Sequence, residues 1–127
     1  MKLARVSLIV RDYDEAIDWY TRVMGLRLVQ DEDRGGKRWV VMQADEGSAL
    51  LLAKAKNERE TAAIGDQHGG RVGFFLHVDD FDATYRHFSQ CAVMFDEQPR
   101  IETYGKVVVF RDLYGNRWDL IEANTAP

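Results

Sequence analysis

The chain repeats itself. A shift of 68 residues lays "GFFLHVDDFDATYRHF", from Gly73, under "RVSLIVRDYDEAIDWY", from Arg5. Val10 then meets Val78, Asp12 meets Asp80, Asp14 meets Asp82 and Tyr20 meets Phe88. The same shift places Gly47 over Gly115 and Leu52 over Leu120 near the far end of each half. One offset that survives a whole unit, with the order of elements preserved, is the mark of a duplicated supersecondary module.

Each module opens on a strand whose alternate residues are apolar, Val6, Leu8 and Val10 in the first and Phe74, Leu76 and Val78 in the second. A helix follows directly. Asp12 is a good N-cap with Glu15 three residues on, and Ala16, Ile17, Tyr20, Val23 and Met24 form an apolar stripe that ends at Gly25. In the second module Asp80 caps a helix carrying Phe81, Thr84, Tyr85 and Phe88. Short strands are predicted at "LRLVQ", "KRWVVMQ" and "ALLLA", and again at "VMFD", "KVVVF" and "RWDLI". The polar stretch "KAKNERETAAIGDQHGG" reads as a surface linker. The expected class is α+β, a βαβββ unit used twice, with module one at about 1–55, the linker at about 56–70 and module two at about 71–124 of a single 127-residue domain.

Charge and cysteine content narrow the function classes. With 17 Lys and Arg against 21 Asp and Glu, and no basic run, the chain lacks the footprint of a nucleic-acid or anionic-membrane binder. The opening "MKLARVSLIVRD" is too short in apolar residues for a signal peptide. Cys91 is the only cysteine, which excludes an intrachain disulfide and fits a cytoplasmic location.

Strand parity gives a second face to each module. If Val6, Leu8 and Val10 meet the helix, then Arg5, Ser7 and Ile9 face away from it, as do Gly73, Phe75 and His77 in the matching strand. On the last strand of each module the counterparts are Ala49, Leu51 and Ala53, then Arg117, Asp119 and Ile121. Asp119 therefore sits on the face opposite the helices, where an unpaired carboxylate needs water, a cation or a donor.

The stretches "VRDYDEAIDWYTRVMGLRLV", "HVDDFDATYRHF" and "YGKVVVFRDLYGNRWDL" resemble the vicinal oxygen chelate superfamily, which includes glyoxalase I, extradiol dioxygenases, fosfomycin-modifying enzymes and bleomycin-binding resistance proteins. Two departures are visible: Leu113 stands where the final turn normally has proline, and Ala92 where the second helix normally ends in glycine. The resemblance implies two modules whose mixed sheets curl into a cup with helices outside and the site on the concave face. It also implies four metal-ligand positions, which fall on Arg5, Leu51, Gly73 and Asp119. Arginine has no lone pair to give, leucine and glycine have no donor atom, and one carboxylate alone does not hold a divalent ion specifically. No metal or other cofactor is expected.

His68, His77 and His87 do not form a spaced ligand cluster. His68 and His87 read as solvated side chains; His77 points into the cup, either as a ligand contact or as a strand-end residue bonded to backbone or water. Trp39 and Tyr104 offer aromatic walls for a flat ligand, with core or interface packing as the alternative for Trp39, while Trp19 and Trp118 read as core. Cys91 has no basic neighbour in sequence to lower its pKa. The expected ligand contacts are Arg5, Ser7, Trp39, Leu51, Gly73, His77, Tyr104, Arg117 and Asp119, with an ion pair expected between Arg5 and Asp119. Two functions stay open: a metal-independent binder of a planar or anionic small molecule, acting as a twofold homodimer, or an isomerase, lyase or dioxygenase with a noncanonical metal or none.

Overall fold

The computed structural model describes residues 1–124, and the chain divides into two compact units, Met1–Gln67 and His68 onward. In the first, β1 (Arg5–Val10), α1 (Tyr13–Arg22), β2 (Arg27–Arg34), β3 (Lys37–Gln43) and β4 (Ala49–Lys54) follow in order. The sheet runs β1-β4-β3-β2, with β1 parallel to β4 and the other neighbours antiparallel. The Asp12 carboxylate accepts the Glu15 N–H at 2.8 Å, the cap its sequence predicts. Ala16, Tyr20 and Val23 of the helical stripe are buried, as are Leu8, Val10, Val40, Met42 and Leu52 of the sheet.

β2 runs further than "LRLVQ", because Gly35 and Gly36, at φ of 66° and 85°, turn the chain directly from Arg34 into Lys37. A two-residue hairpin loop with both φ positive matches the twist of the strands it joins, and only glycine takes that conformation freely. The linker is not featureless either. Asn57 accepts the Glu60 N–H at 2.8 Å and starts a short helix, α2 (Glu58–Ala63). Beyond it, Gln67 folds its carboxamide back on the edge strand β1, accepting the Ile9 N–H at 2.9 Å and donating to the Ser7 carbonyl at 2.8 Å. One side chain thus occupies backbone groups that an edge strand would otherwise leave open.

The second unit carries β5 (Val72–His77), α3 (Phe81–Gln90), β6 (Arg100–Glu102), β7 (Gly105–Arg111) and β8 (Arg117–Ala123), in sheet order β5-β8-β7-β6. The strand predicted over Val93–Asp96 is reduced to a single bridge, Phe95 to Phe110, and β6 lies further on. The Glu97 side chain accepts the Val109 N–H at 2.9 Å, a position a strand carbonyl would take, and Pro99 has no N–H to pair. Behind the sheet, Phe74 and Phe110 stack on Trp118 with ring centroids 4.7 and 5.8 Å away, and Phe88 of α3 meets Phe110 edge-on at 4.9 Å. Trp118 is core as expected, whereas Trp19 stays half-exposed against the edge of Tyr20. Ala92 ends α3 at φ 60°, a left-handed conformation that costs a residue with a Cβ about 1 kcal/mol and leaves the fold intact.

Leu113 belongs to a turn held by one carboxylate. Asp112 accepts the backbone N–H groups of Tyr114, Gly115 and Asn116 at 3.1, 3.1 and 2.9 Å. It also accepts Asn116 Nδ2 at 3.0 Å and Trp118 Nε1 at 2.9 Å. Asp112 and Asn116 are the buried polar residues of the described chain, and each is satisfied by the other.

Candidate functional site

In the first unit the face away from α1 carries Arg5, Ser7 and Leu51, with Ser7 in register with Leu51 and Leu51 with Val41. Trp39 lies on the same face, two residues along β3 from Val41. Its indole N–H donates to Gln30 Oε1 at 3.1 Å. The Arg34 guanidinium stands 4.6 Å from the Trp39 ring centroid and that of Arg5 stands 5.4 Å away. Arg34 is also paired with Glu32 at 2.9 Å. Arg5 has no carboxylate partner within its unit, so of the two cations beside the half-buried indole it is the one not engaged by an acid there. Ring and cations together form a flat surface of positive potential.

In the second unit, β8 places Arg117, Asp119 and Ile121 on one face, and Phe75, His77 and Val109 sit beside them by register. Asp119 is only partly exposed, and its Oδ1 is buried with no hydrogen-bond partner. Burial pushes the carboxyl above the usual aspartate range; Arg100 and Arg117 pull it down and Glu97 adds to the push. The neighbouring charges are already committed. Asp96 receives Arg111 at 2.7 Å and Arg117 at 2.9 Å. Burial opposes charge on Asp96 too, but those two guanidiniums outweigh it and hold its carboxyl low. Arg100 is shared by Glu97 and Glu102, with the Tyr104 hydroxyl also favouring its charge.

The expected contacts thus fall into two sets. Arg5, Ser7, Trp39 and Leu51 share the face of the first unit; Gly73, His77, Arg117 and Asp119 lie on β5 and β8 of the second, with Tyr104 exposed in the β6–β7 turn. Within the first unit Arg5 meets the Trp39 ring, and within the second the charges of Arg100, Glu97 and Arg117 act on Asp119. Sequence reasoning missed Arg34, which reaches Trp39 only because the glycine turn sets the β2–β3 register. It also missed the Asp96–Glu97 carboxylates, which the misplaced strand had hidden. His68 is not simply solvated, since its ring packs edge-on to Phe74 at 4.9 Å and fills the space where a Cβ on Gly73 would go. Cys91 does have a basic neighbour, with a ring nitrogen of His87 3.8 Å from its sulfur, one helical turn back on α3.

A family model described as the Glyoxalase/Bleomycin resistance protein/Dioxygenase superfamily matches residues 2–120. The chain belongs to this superfamily. An uncharacterized protein of Shewanella frigidimarina (strain NCIMB 400) is 41% identical over 96% of this chain and 93% of its own. Among solved structures, UcmS2 is 29% identical with a TM-score of 0.83, covering 97% of this chain and 98% of its own. TnmS3, an antibiotic binding protein from Streptomyces sp. CB03234, is 23% identical with a TM-score of 0.78, covering 98% of this chain and 97% of its own, a likeness of fold.

The metal of the superfamily's metal-dependent members does not fit the residues found here. Arg5 and Leu51 offer no lone pair, Gly73 has no donor and its side-chain space is taken by His68, and Asp119 is left as one carboxylate. Among the described residues no group of three or more His, Cys, Asp or Glu side chains is placed to hold an ion.

Proposed function

We propose that this superfamily member is a metal-independent binding protein for a small planar molecule bearing a negative charge. The observation that carries the reading is Trp39, a half-buried indole fixed by Gln30 and flanked by Arg34 and an Arg5 without a carboxylate partner in its unit. A flat aromatic platform with a few fixed polar groups is the usual makeup of a small-molecule site. Ser7 and Leu51, on the same face of the first unit, extend it. The antibiotic-binding role of TnmS3 on the same fold is in keeping with it.

The test is calorimetric titration with a graded set of aromatic carboxylates and their uncharged amides. The carboxylates should bind, the amides should bind more weakly, and Trp39→Ala or Arg5→Gln should each weaken the carboxylates by about tenfold or more, the size of one lost charged or stacking contact. Equal binding of acids and amides, or no response to either substitution, sinks the reading. No helix among the described residues is long and apolar enough to cross a membrane. A cytoplasmic location and a twofold homodimer are part of the proposal, the latter because open sheets gain from covering their edges. Light scattering at micromolar concentration should return twice the chain mass; a monomer removes that part.

A further inference from the structure

The second unit holds a charge imbalance that the reading above does not use. On and around the β6–β7–β8 face, Asp96 has Arg111 and Arg117, and Glu97 and Glu102 have Arg100. Asp119 is the acid of this group left over. Its Oδ1 is shut off from solvent without a donor, a state that costs a carboxylate more than it costs a neutral acceptor. Next to it in register on β5 stands Phe75, 61% exposed, which is unusual for a ring of that size on a sheet face. On the other side is Val109, buried, and along β8 is Ile121, also buried. A partnerless carboxylate between an exposed aromatic ring and an apolar strand is complementary to one chemistry: a cationic nitrogen carried on an aromatic or aliphatic body.

We infer that Asp119 and Phe75 form a subsite for a protonated amine, the ammonium donating to the Asp119 carboxylate while its hydrocarbon body lies on the Phe75 ring. An ammonium suits the place for several reasons. It supplies donors to an acceptor that has none, and it restores the charge balance that Arg100, Arg111 and Arg117 do not complete. It also gains from the face of an adjacent ring. An anion is disfavoured there, since Asp119 and Glu97 would both repel it. The upward push on the Asp119 carboxyl points the same way, as a nearby cation relieves it. His77, which shares the face two residues from Phe75, is a further titratable group beside the subsite, with Glu97, Arg100 and Arg117 acting on Asp119 from β8 and the chain around β6.

The inference does not rest on the Trp39 reading, and the experiment separates them. Amide chemical shifts are followed during titration of the full chain with phenethylamine, with 2-phenylethanol and phenylacetate as the neutral and anionic counterparts. Phenethylamine should shift amides of β5 and β8 around Phe75 and Asp119 saturably at millimolar concentration, at least about tenfold tighter than the alcohol. Asp119→Asn, nearly the same shape, should remove that advantage, and Trp39→Ala should leave it unchanged. Phe75→Leu should weaken amine and alcohol alike. If the alcohol binds as well as the amine in the unaltered chain, or Asp119→Asn keeps the preference, or the shifts fall around Trp39 instead, the subsite is overturned; wild-type ligand discrimination decides the matter even if a variant folds poorly.

Discussion

Asp112→Ala should lower the stability of the chain by about 3–5 kcal/mol, a fall in melting temperature on the order of 10 °C or more. The reason lies in how many groups depend on one carboxylate. Removing it takes a side-chain acceptor from the N–H groups of Tyr114 and Asn116, the Asn116 amide and the Trp118 indole N–H in a partly buried turn, while Gly115 keeps the Asp112 carbonyl at 3.0 Å. Each orphaned buried donor costs about 1–3 kcal/mol, partly recovered where relaxation lets water in. Asp112→Asn should fall between wild type and alanine. It keeps an oxygen for the backbone donors but sets an amide NH2 against Asn116 Nδ2 and Trp118 Nε1, or the reverse. Thermal unfolding followed in the near ultraviolet, where the stacked Trp118 contributes, checks both. A loss below about 1 kcal/mol for the alanine variant would show that the turn is held by something else.

Asp119→Asn should do the opposite at neutral pH and make the chain more stable. The native carboxyl has its pKa raised by burial, ahead of the smaller influences of Arg100, Glu97 and Arg117. A group raised in the folded state contributes most below its unfolded value, and that contribution is lost as the pH climbs through the raised native one. At pH 7 the wild-type chain therefore bears the cost of an ionised, partnerless acid, and the amide does not. The expected gain is on the order of 1 kcal/mol, modest because the residue is partly exposed. It should vanish below about pH 4, where the carboxyl is protonated in both states. Melting temperatures of the two chains across pH 3 to 8, roughly the range either side of both values, test this. Curves that stay parallel, or an asparagine variant that is less stable at pH 7, would mean that the carboxylate already has a partner. The pattern contrasts with Asp96, whose pKa is held low by Arg111 and Arg117 and whose contribution is instead lost on acidification.

Much of this was legible in the residues. The duplication, the strand parity and the caps at Asp12 and Asp80 all follow from local chemistry, and parity alone put Arg5, Ser7 and Asp119 on the faces where they are found. What was illegible depended on register. Arg34 belongs to the Trp39 site only because a two-glycine turn carries β2 past the apolar residues that announced it. Phe95 reads as the middle of a strand, yet pairing with β7 is limited to one bridge, Arg111 N–H to Met94 and Asp96 N–H to Val109, because the Glu97 side chain then takes the Val109 N–H. Two omissions were avoidable. Asn57 and Glu60 repeat the spacing of Asp12 and Glu15 and announce α2, and His87 and Cys91 stand four apart on a helix, which makes them neighbours. The absence of a partner for Asp119 Oδ1 is different in kind, since no local pattern records which donors a buried atom fails to meet.

The His68 ring over Gly73 bears on what this scaffold can become. At the position where metal-using relatives carry a ligand, any side chain introduced on β5 meets that ring, and the ring is itself braced on Phe74. A single substitution there meets an obstacle before it meets an ion. A donor introduced at Gly73 therefore displaces the exposed His68 ring from its edge-on contact with Phe74, so building a metal ligand there and keeping that contact exclude each other.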